Sequence, residues 1–342
     1  MIEMRASLMR LNSRLLRSLL SAALLALFSF ASLSAGEIHM QEKVAYGGWP
    51  NCIRLSNGQI ELIATTDVGP RLIRFGFVGG SNFMKEYADQ AGKTGGDEWR
   101  IYGGHRLWQA PEDLKKTYAP DNGPVAHAWN AGTLKLTQPV DATGIEKEIE
   151  ITMDAKLNRV TLVHRLTNRG TKKENLAVWA LSAMAAGGRA IFPQEAYRSH
   201  SDQLLPVRAM ALWGYTDMKD PRWSWGTHYI QLRQDSAMAT PQKLGMTNTL
   251  GWAAYALDKA LFINRFGYER SAQYPDFNSN CETYTDATML EVETLGPMTQ
   301  LAPGESVEHT EEWNLFHAEV SDDEAAIGRT LLPLIQQTSA VK

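Results

Sequence analysis

The sequence predicts an all-β domain, a β-sandwich followed by one short C-terminal helix. Three observations predict this fold class. Most of the chain after residue 35 consists of short apolar or alternating segments separated by Gly, Pro, Asn and Asp turn residues. Only one segment, near the C-terminus, has the spacing of an amphipathic helix. No internal repeat or linker divides residues 36–342, so we expect a single domain of two packed sheets there.

The clearest strand signal is the strict alternation of apolar and polar residues over 145–153. Earlier in the chain, two apolar segments flank the turn residues Gly69 and Pro70. The predicted strands, in order, are 60–65, 71–77, 145–153, 160–167, 176–184, 289–295 and 307–315.

The helix is predicted to begin after Ser321, which with Glu324 forms a capping-box pattern ahead of a run of leucines. Two stretches, 79–100 and 193–228, fit neither strand nor helix. Long irregular segments inside compact domains are often functional, so we expect loops of functional importance there.

Residues 1–35 have the pattern of a secretory signal peptide. Four arginines precede the apolar run 19–30, and small residues follow around Ser34. The apolar run is shorter than the roughly 20 residues that span a bilayer, although an uncleaved anchor is the alternative. We therefore expect a periplasmic or secreted protein with no stable membrane insertion after cleavage.

Charge and cysteine content restrict the partners. The remainder of the chain has 30 basic and 37 acidic residues, a net charge of −7, and no basic run, so no nucleic-acid partner is expected. Cys52 and Cys281 could pair in an oxidising compartment or remain buried thiols.

Several charged or histidine side chains fall on strand faces that are otherwise apolar. They are Lys147, His164, Glu291, Glu293, His309 and Glu311. Burying a charge is costly unless it is paired, so each residue could belong to a buried ionic network. Taken together, they favour a polar cleft on a concave sheet face, where a carboxylate and a His or Lys could transfer protons at a sugar's anomeric centre.

The densest cluster of polar and aromatic residues is 99–112. Gly103 and Gly104 permit a tight turn that presents the residues after it. Aromatic faces beside polar side chains suit a sugar ring, although a loop packed on the sheet edge is the alternative. The candidate ligand-binding residues here and just beyond are His105, Arg106, Trp108, Glu112, Asp121 and Asn122. No nucleophile elbow, phosphate loop or histidine pair at metal spacing is present, so no cofactor and no metal are expected.

These residues resemble an uncharacterised-domain family of the galactose mutarotase-like superfamily over about residues 45–316. The resemblance implies a β-supersandwich that binds carbohydrate on a concave sheet face. The matching motifs are Gly69–Arg71, Gly103–Trp108, Pro111-Glu112, Tyr118–Asn122, Trp213–Asp217, Asp220–Arg222, Tyr274–Asp276, Leu290–Pro297, Pro303–Glu305 and Glu311–Trp313.

The match to true aldose 1-epimerases is looser. Those enzymes use a late carboxylate base and two histidines, so Glu291 or Glu293 would match the base and His105 the first histidine. The second histidine normally follows a strand like 176–184, which here carries Trp179 and Ser182 and no histidine.

The leading hypothesis is an epimerase-like isomerase that acts on a sugar or oligosaccharide. Glu291 or Glu293 would be the base and His105 the acid, and Arg71, Arg106 and Lys147 would hold a substrate for which an anionic sugar is one candidate. One alternative is a hydrolase or lyase with paired carboxylates, such as Glu293 with Glu311. The other is a carbohydrate-binding protein without chemistry, so the sequence leaves open whether the chain is an enzyme.

Overall fold

The computed structural model describes residues 36–341, which form two large antiparallel β-sheets and little else. The predicted signal peptide at 1–35 lies outside the described residues. In chain order the strands are β1 (His39–Tyr46), β2 (Trp49–Ser56), β3 (Ile60–Thr65), β4 (Arg71–Phe77), β5 (His105–Ala110), β6 (Ala126–Asn130), β7 (Thr133–Gln138), β8 (Ile145–Met153), β9 (Arg159–Asn168), β10 (Glu174–Met184), β11 (Arg189–Pro193), β12 (Met210–Leu212), β13 (Trp223–Trp225), β14 (Tyr229–Arg233), β15 (Gln242–Met246), β16 (Trp252–Leu257), β17 (Ala260–Phe266), β18 (Cys281–Thr285), β19 (Leu290–Leu295), β20 (Thr299–Leu301) and β21 (Ser306–His317).

The strands are divided between the two sheets in an order that brings distant parts of the chain together. The first sheet runs β1-β2-β3-β4-β5-β10-β19-β18-β15-β12, with β20 paired to one end of β10. The second sheet runs β13-β14-β11-β16-β17-β21-β9-β8-β7-β6. The prediction of an all-β sandwich is therefore confirmed. Because β5, β10 and β19 are neighbours, residues separated by up to about 185 positions meet on one surface.

The main hydrophobic core fills the space between the sheets. Phe75 of the first sheet packs its ring 6.0 Å from Phe262 and 5.2 Å from Trp313 of the second, measured between ring centroids. All three side chains are buried. Along the central strands, alternation places every second residue in this core, which is why the period-two pattern in the sequence marks strands.

The only regular helix of several turns among the described residues, α1 (Glu324–Ile335), covers the outer face of the second sheet. Ile327 and Leu331 pack there against Ile191, Trp252 and Ile263. The outer face of the first sheet is not covered by this helix and remains free to form a site. Within residues 36–341, no helix has both the length and the apolar character that a membrane span requires.

The helix start differs from the prediction. The N-cap is Asp323, whose carboxylate accepts a hydrogen bond from the Ala326 N–H. Glu324 does not close a capping box, because its carboxylate accepts hydrogen bonds from the backbone N–H groups of His228 and Tyr229. The helix therefore begins two residues later than Ser321 suggested, with Asp, an equally good cap, in that place.

The two irregular stretches contain little regular structure. Residues 79–100 form turns and isolated bridges, and 193–228 adds only the three-residue strands β12 and β13. A further turn, Pro275–Asn278, has positive φ at three successive residues. Gly104, at the start of β5, has φ +71°, and a Cβ atom there would overlap the Leu72 carbonyl oxygen. Glycine is therefore required at this position.

Cys52 and Cys281 are both buried free thiols, so the non-disulfide alternative describes this structure.

Candidate functional site

A pocket of about 370 Å³ lies on the outer face of the first sheet, across β5, β10, β19, β18 and β15. Each strand contributes alternate residues that point away from the core. Leu107 of β5, for example, packs in the core, whereas Arg106 and Trp108 on either side of it line the pocket. This volume lies within the roughly 300–1,000 Å³ range of small-molecule sites.

One side of the pocket contains a buried ion pair. The Arg106 guanidinium Nη1 lies 2.7 Å from Glu291 Oε1, and both side chains are almost completely buried. The guanidinium also stacks on Trp108, 4.2 Å from the ring centroid. A planar cation on an aromatic face is held in a fixed orientation, so this group is ready to donate hydrogen bonds to a ligand.

The other side contains one lysine and two carboxylates. Lys243 Nζ lies 2.9 Å from Glu282 Oε2 and 3.6 Å from Glu293 Oε2. Trp179 donates its indole N–H to the same Glu293 oxygen at 2.9 Å. The ammonium also lies over the rings of Trp179 and Trp213, 4.6 and 4.7 Å from their centroids. This lysine is therefore enclosed by groups that favour its charge.

Burial and like charge raise the pKa values of the two carboxyl groups above their ordinary acidic range. Burial raises the pKa of Glu293 to about 7; Lys243 opposes this shift and Glu291 adds to it. Burial also raises the pKa of Glu282 well above its ordinary value. Burial disfavours the Lys243 ammonium, but the Glu293 and Glu282 carboxylates outweigh it and raise the lysine pKa. Glu293 can therefore gain or lose a proton near neutral pH, while Lys243 stays charged.

Aromatic side chains form the walls. The Trp108 ring makes edge-to-face contacts with Tyr118 and Trp179, at centroid distances of 5.1 and 5.4 Å. Trp99 packs against Trp108 at 5.6 Å. The Tyr118 hydroxyl donates to Glu112 Oε1 at 2.5 Å. A pocket with flat apolar walls and a charged floor has the chemistry that a sugar ring requires.

The structure brings five of the predicted site residues together in this pocket. They are Arg106, Trp108, Glu112, Glu291 and Glu293. The sequence left open which of the two late glutamates faces the cleft. Both do, because they are two residues apart on the regular strand β19.

Three other predicted binding residues support the pocket without lining it. Arg71 is completely buried, and its guanidinium lies 2.6 Å from Asp121 Oδ2 and donates to the carbonyl oxygens of Ile101 and Gly103. Asn122 accepts a hydrogen bond from Tyr102 and donates to the backbone at 96 and 98. These residues fix the loop that carries Trp99, so their role here is positional.

His105 does not line the pocket and lies between the sheets, because it precedes Arg106 on β5 and so faces the opposite way. Its Nδ1 lies 2.9 Å from Ser182 Oγ, and its Nε2 lies 2.7 Å from His164 Nε2. His164 Nδ1 lies 3.1 Å from the His309 carbonyl oxygen and donates to it. The predicted acid and its neighbour therefore form a buried hydrogen-bonded chain on the reverse face of the sheet.

Glu311 belongs to the same buried group. Its carboxylate accepts hydrogen bonds from Thr294, Asn264 and Trp313. This placement excludes the pairing of Glu311 with a pocket glutamate that a hydrolase would need. Lys147 is also buried, 3.4 Å from Asp141 Oδ2 in the second sheet, as an ionic pair and not as a cleft residue.

His105, His164 and Glu311 are the set among residues 36–341 whose geometry could hold a metal ion, with ligand atoms within 4.8 Å of one another. Each of these side chains already has hydrogen-bond partners in the protein. A cation would have to displace the hydrogen bond between the two imidazoles, so the donor set does not require one.

Sequence reasoning missed the lysine and several residues beside it. They are Lys243, Glu282, Trp179, Tyr215 and Tyr284. A charged residue within an otherwise uncharged segment was the available signal for Lys243 and Glu282. Their strands have only five residues each, too short for a convincing alternation.

Comparison with known proteins identifies the fold. No protein-family model matches the chain, and no curated protein matches it either. Membership of an uncharacterised-domain family therefore stays a prediction.

The solved structures that resemble this one include the following three. A TPR-domain containing protein from Parabacteroides distasonis aligns with TM-score 0.53 and 16% identity over 79% of this chain, which spans only 48% of that protein. The candidate mutarotase YeaD from Salmonella typhimurium aligns with TM-score 0.50 and 12% identity, over 78% of this chain and 90% of its own. A galactose mutarotase-like protein from Lactobacillus casei has TM-score 0.49 and 9% identity over 78% and 100%. At such identities the likeness concerns the fold alone: the chain shares the sandwich fold of the candidate mutarotase from Salmonella typhimurium.

Proposed function

We propose that this protein binds a carbohydrate in the pocket on the first sheet and that Glu293 accepts a proton from it. The observation that carries the proposal is the position of Glu293, a carboxylate with a pKa of about 7 at the floor of an aromatic-walled pocket. A general base is most effective when its pKa lies near the working pH.

The binding part of the proposal rests on the walls and the floor together. The rings of Trp108, Tyr118 and Trp179 offer apolar faces to the C–H faces of a sugar. Arg106 and Lys243 offer fixed N–H donors to its hydroxyl groups. Both cations could also bind a carboxylate, so a uronate is among the candidate ligands.

The acid must come from a group other than His105, since that imidazole lies on the reverse face of the sheet. The phenols of Tyr87 and Tyr215 line the pocket, and burial raises the pKa of each to about 12. They stay protonated at neutral pH and can donate to a ring or hydroxyl oxygen. Proton removal from the anomeric hydroxyl by Glu293 and proton donation to the ring oxygen by a phenol are the two transfers that open the ring, and their reversal closes it in either anomer.

The second candidate function is carbohydrate binding without chemistry. It is favoured by two observations: no histidine among the described residues lines the pocket, and each pocket cation is already paired with a carboxylate. In this case the same residues would only hydrogen-bond the ligand.

We further propose that the protein is exported to the periplasm or secreted. The basic and apolar pattern of residues 1–35 supports this proposal. A sugar-binding pocket open to solvent is compatible with either compartment.

The test uses E293Q, which keeps the shape of the side chain and removes its basicity. The exposed Glu319 provides the matched control E319Q. Anomer exchange of neutral sugars and uronates is followed by NMR, and binding is measured by calorimetry. We expect E293Q to reduce the rate about 100-fold or more while E319Q leaves it unchanged. Unchanged turnover in E293Q would remove this carboxylate from the mechanism; binding with no rate acceleration in the wild type would establish the second function.

A further inference from the structure

A second depression lies beside the pocket and is larger, with a volume of about 820 Å³. Tyr87 and Thr288 line both depressions, and their hydroxyl groups lie 3.3 Å apart in a hydrogen bond. The two depressions therefore adjoin each other, with this pair at their shared boundary. We call the larger one the outer groove; its walls beyond the boundary include Lys85, Ala88, Gln234 and Ser236.

The boundary between pocket and groove is held rigidly on both sides. On one side, the Lys85 N–H donates to the Ala183 carbonyl of β10, and the Lys85 carbonyl accepts from Gly104. On the other side, Asp286 Oδ1 accepts hydrogen bonds from the Thr288 backbone and hydroxyl. Such preorganisation reduces the entropy lost when a ligand crosses the boundary.

Tyr87 is suited to contact a ligand unit at the boundary. Its ring is only partly buried, and the Lys85 ammonium lies 5.0 Å from the ring centroid. Lys85 has no ion-pair partner within residues 36–341. Tyr87 and Lys85 therefore combine an aromatic face with a cationic N–H donor in the outer groove, as Trp108 and Arg106 do inside the pocket.

The charges of the outer groove do not favour a polyanion. Arg222 is paired with Asp220 at 2.8 Å and Arg233 with Asp322 at 2.5 Å. The remaining charged lining groups are Lys85, Glu86, Asp89 and Asp235, so the carboxylates outnumber the unpaired cation. A chain of mainly neutral sugar units fits this balance better than nucleic acid or a polyuronate.

On this basis we propose that the ligand is an oligosaccharide, with one unit in the pocket beside Glu293 and the next units across Tyr87 in the outer groove. This inference rests on the proposed function and specifies its substrate class. In this arrangement the pocket binds the sugar unit that reacts. The outer groove binds the additional units, so affinity increases with the length of the oligosaccharide.

The test blocks the outer groove without touching the pocket. Ser236 and Ala88 are exposed and line the groove alone, so S236W and A88W fill it with an indole. The matched control T171W places the same side chain on an exposed turn residue that lines neither depression. Because all three positions are exposed, we expect each variant to fold, which circular dichroism and thermal unfolding check.

Binding is measured by calorimetry for glucose, galactose, xylose and galacturonate and for their oligomers of up to five units. For the sugar that binds, we expect its trimer to bind the wild type and T171W about tenfold or more tightly than the monomer. S236W and A88W should lose this gain and keep monomer affinity within about twofold.

Three results overturn the proposal, and they are distinguishable. If a sugar binds, with affinity lost in E293Q or W108A, but its oligomers bind no more tightly than the monomer, the oligosaccharide assignment fails and the proposed function stands. If no sugar of any length binds, the proposed function fails and the oligosaccharide assignment fails with it. A length-dependent gain that S236W and A88W both retain also rejects the outer groove as its source.

Discussion

Replacing Lys243 with Met tests the electrostatic account of the pocket most directly. The ammonium lies 2.9 Å from Glu282 and 3.6 Å from Glu293, and both carboxylates are completely buried. Met fills a similar volume and keeps the contact with the neighbouring indoles, so the variant removes the charge with little change in packing. K243M therefore leaves two carboxylates together in a buried site without their cation.

The expected loss follows from this geometry. Removing one partner of a buried ion pair lowers the free energy of unfolding by about 3–5 kcal/mol, because the remaining charge is left uncompensated. The control is K116M, since Lys116 lies 2.6 Å from Glu174 with 48% of its side chain exposed. A surface pair of this kind contributes about 0–1 kcal/mol.

The loss in K243M should also depend on pH. Without the lysine, the already raised pKa values of Glu282 and Glu293 rise further, so the folded variant binds protons that the unfolded chain releases. Stability conferred by a raised carboxyl pKa is present at low pH and is lost as pH rises. The deficit relative to wild type should therefore be smaller at pH 5.5 than at pH 8.

The assay is urea unfolding of wild type, K243M and K116M at pH 5.5 and pH 8, followed by tryptophan fluorescence. We expect K243M to be the least stable at pH 8 and to recover part of the difference at pH 5.5. Equal stability of K243M and K116M at pH 8, or a deficit independent of pH, would refute the reasoning.

Two further predictions concern the scaffold. Burial lowers the pKa of His164 to about 4 and that of His309 to about 3, so unfolding takes up protons below the ordinary value of 6.5. Because the raised carboxyl pKa values act in the opposite direction, the histidine effect is measured as a difference between variants. The free energy of unfolding of wild type relative to H309Q should fall as pH decreases from 6.5 towards 4, whereas that relative to the surface control H127Q should not; a pH-independent difference for H309Q would contradict the buried neutral network. Secondly, G104A should lower the free energy of unfolding by about 3 kcal/mol, because its Cβ would overlap the Leu72 carbonyl oxygen of β4. G132A, with φ +86° and open space around the residue, should lower it by about 1 kcal/mol. Thermal unfolding compares the two variants, and equal losses would contradict the overlap.

The sequence could predict the sandwich because its signals are local. The alternation over 145–153 corresponds to β8 with the same bounds, and the segments 60–65 and 71–77 correspond to β3 and β4. Strand pattern depends on successive residues facing opposite sides of a sheet, which the chain itself encodes. The sequence signal for part of the site was also local, because Arg106, Trp108 and Glu112 lie within one short segment.

The division of the polar residues between two faces could not be predicted in the same way. Alternation shows that His105 and Arg106 point in opposite directions, but not which side of the sheet is the core. Only the packing of the second sheet against the first made one face the buried side, enclosing His105 and His164 and leaving Arg106 to the pocket.

The tertiary structure also decided which charges meet. The sequence by itself determined the strands, the turns that need glycine and the polar residues on otherwise apolar faces. Only the order of strands in the first sheet placed β15 and β18 beside β19 and so brought Lys243 to Glu282 and Glu293. Contacts between strands distant in sequence depend on sheet order, which the local pattern of residues does not encode.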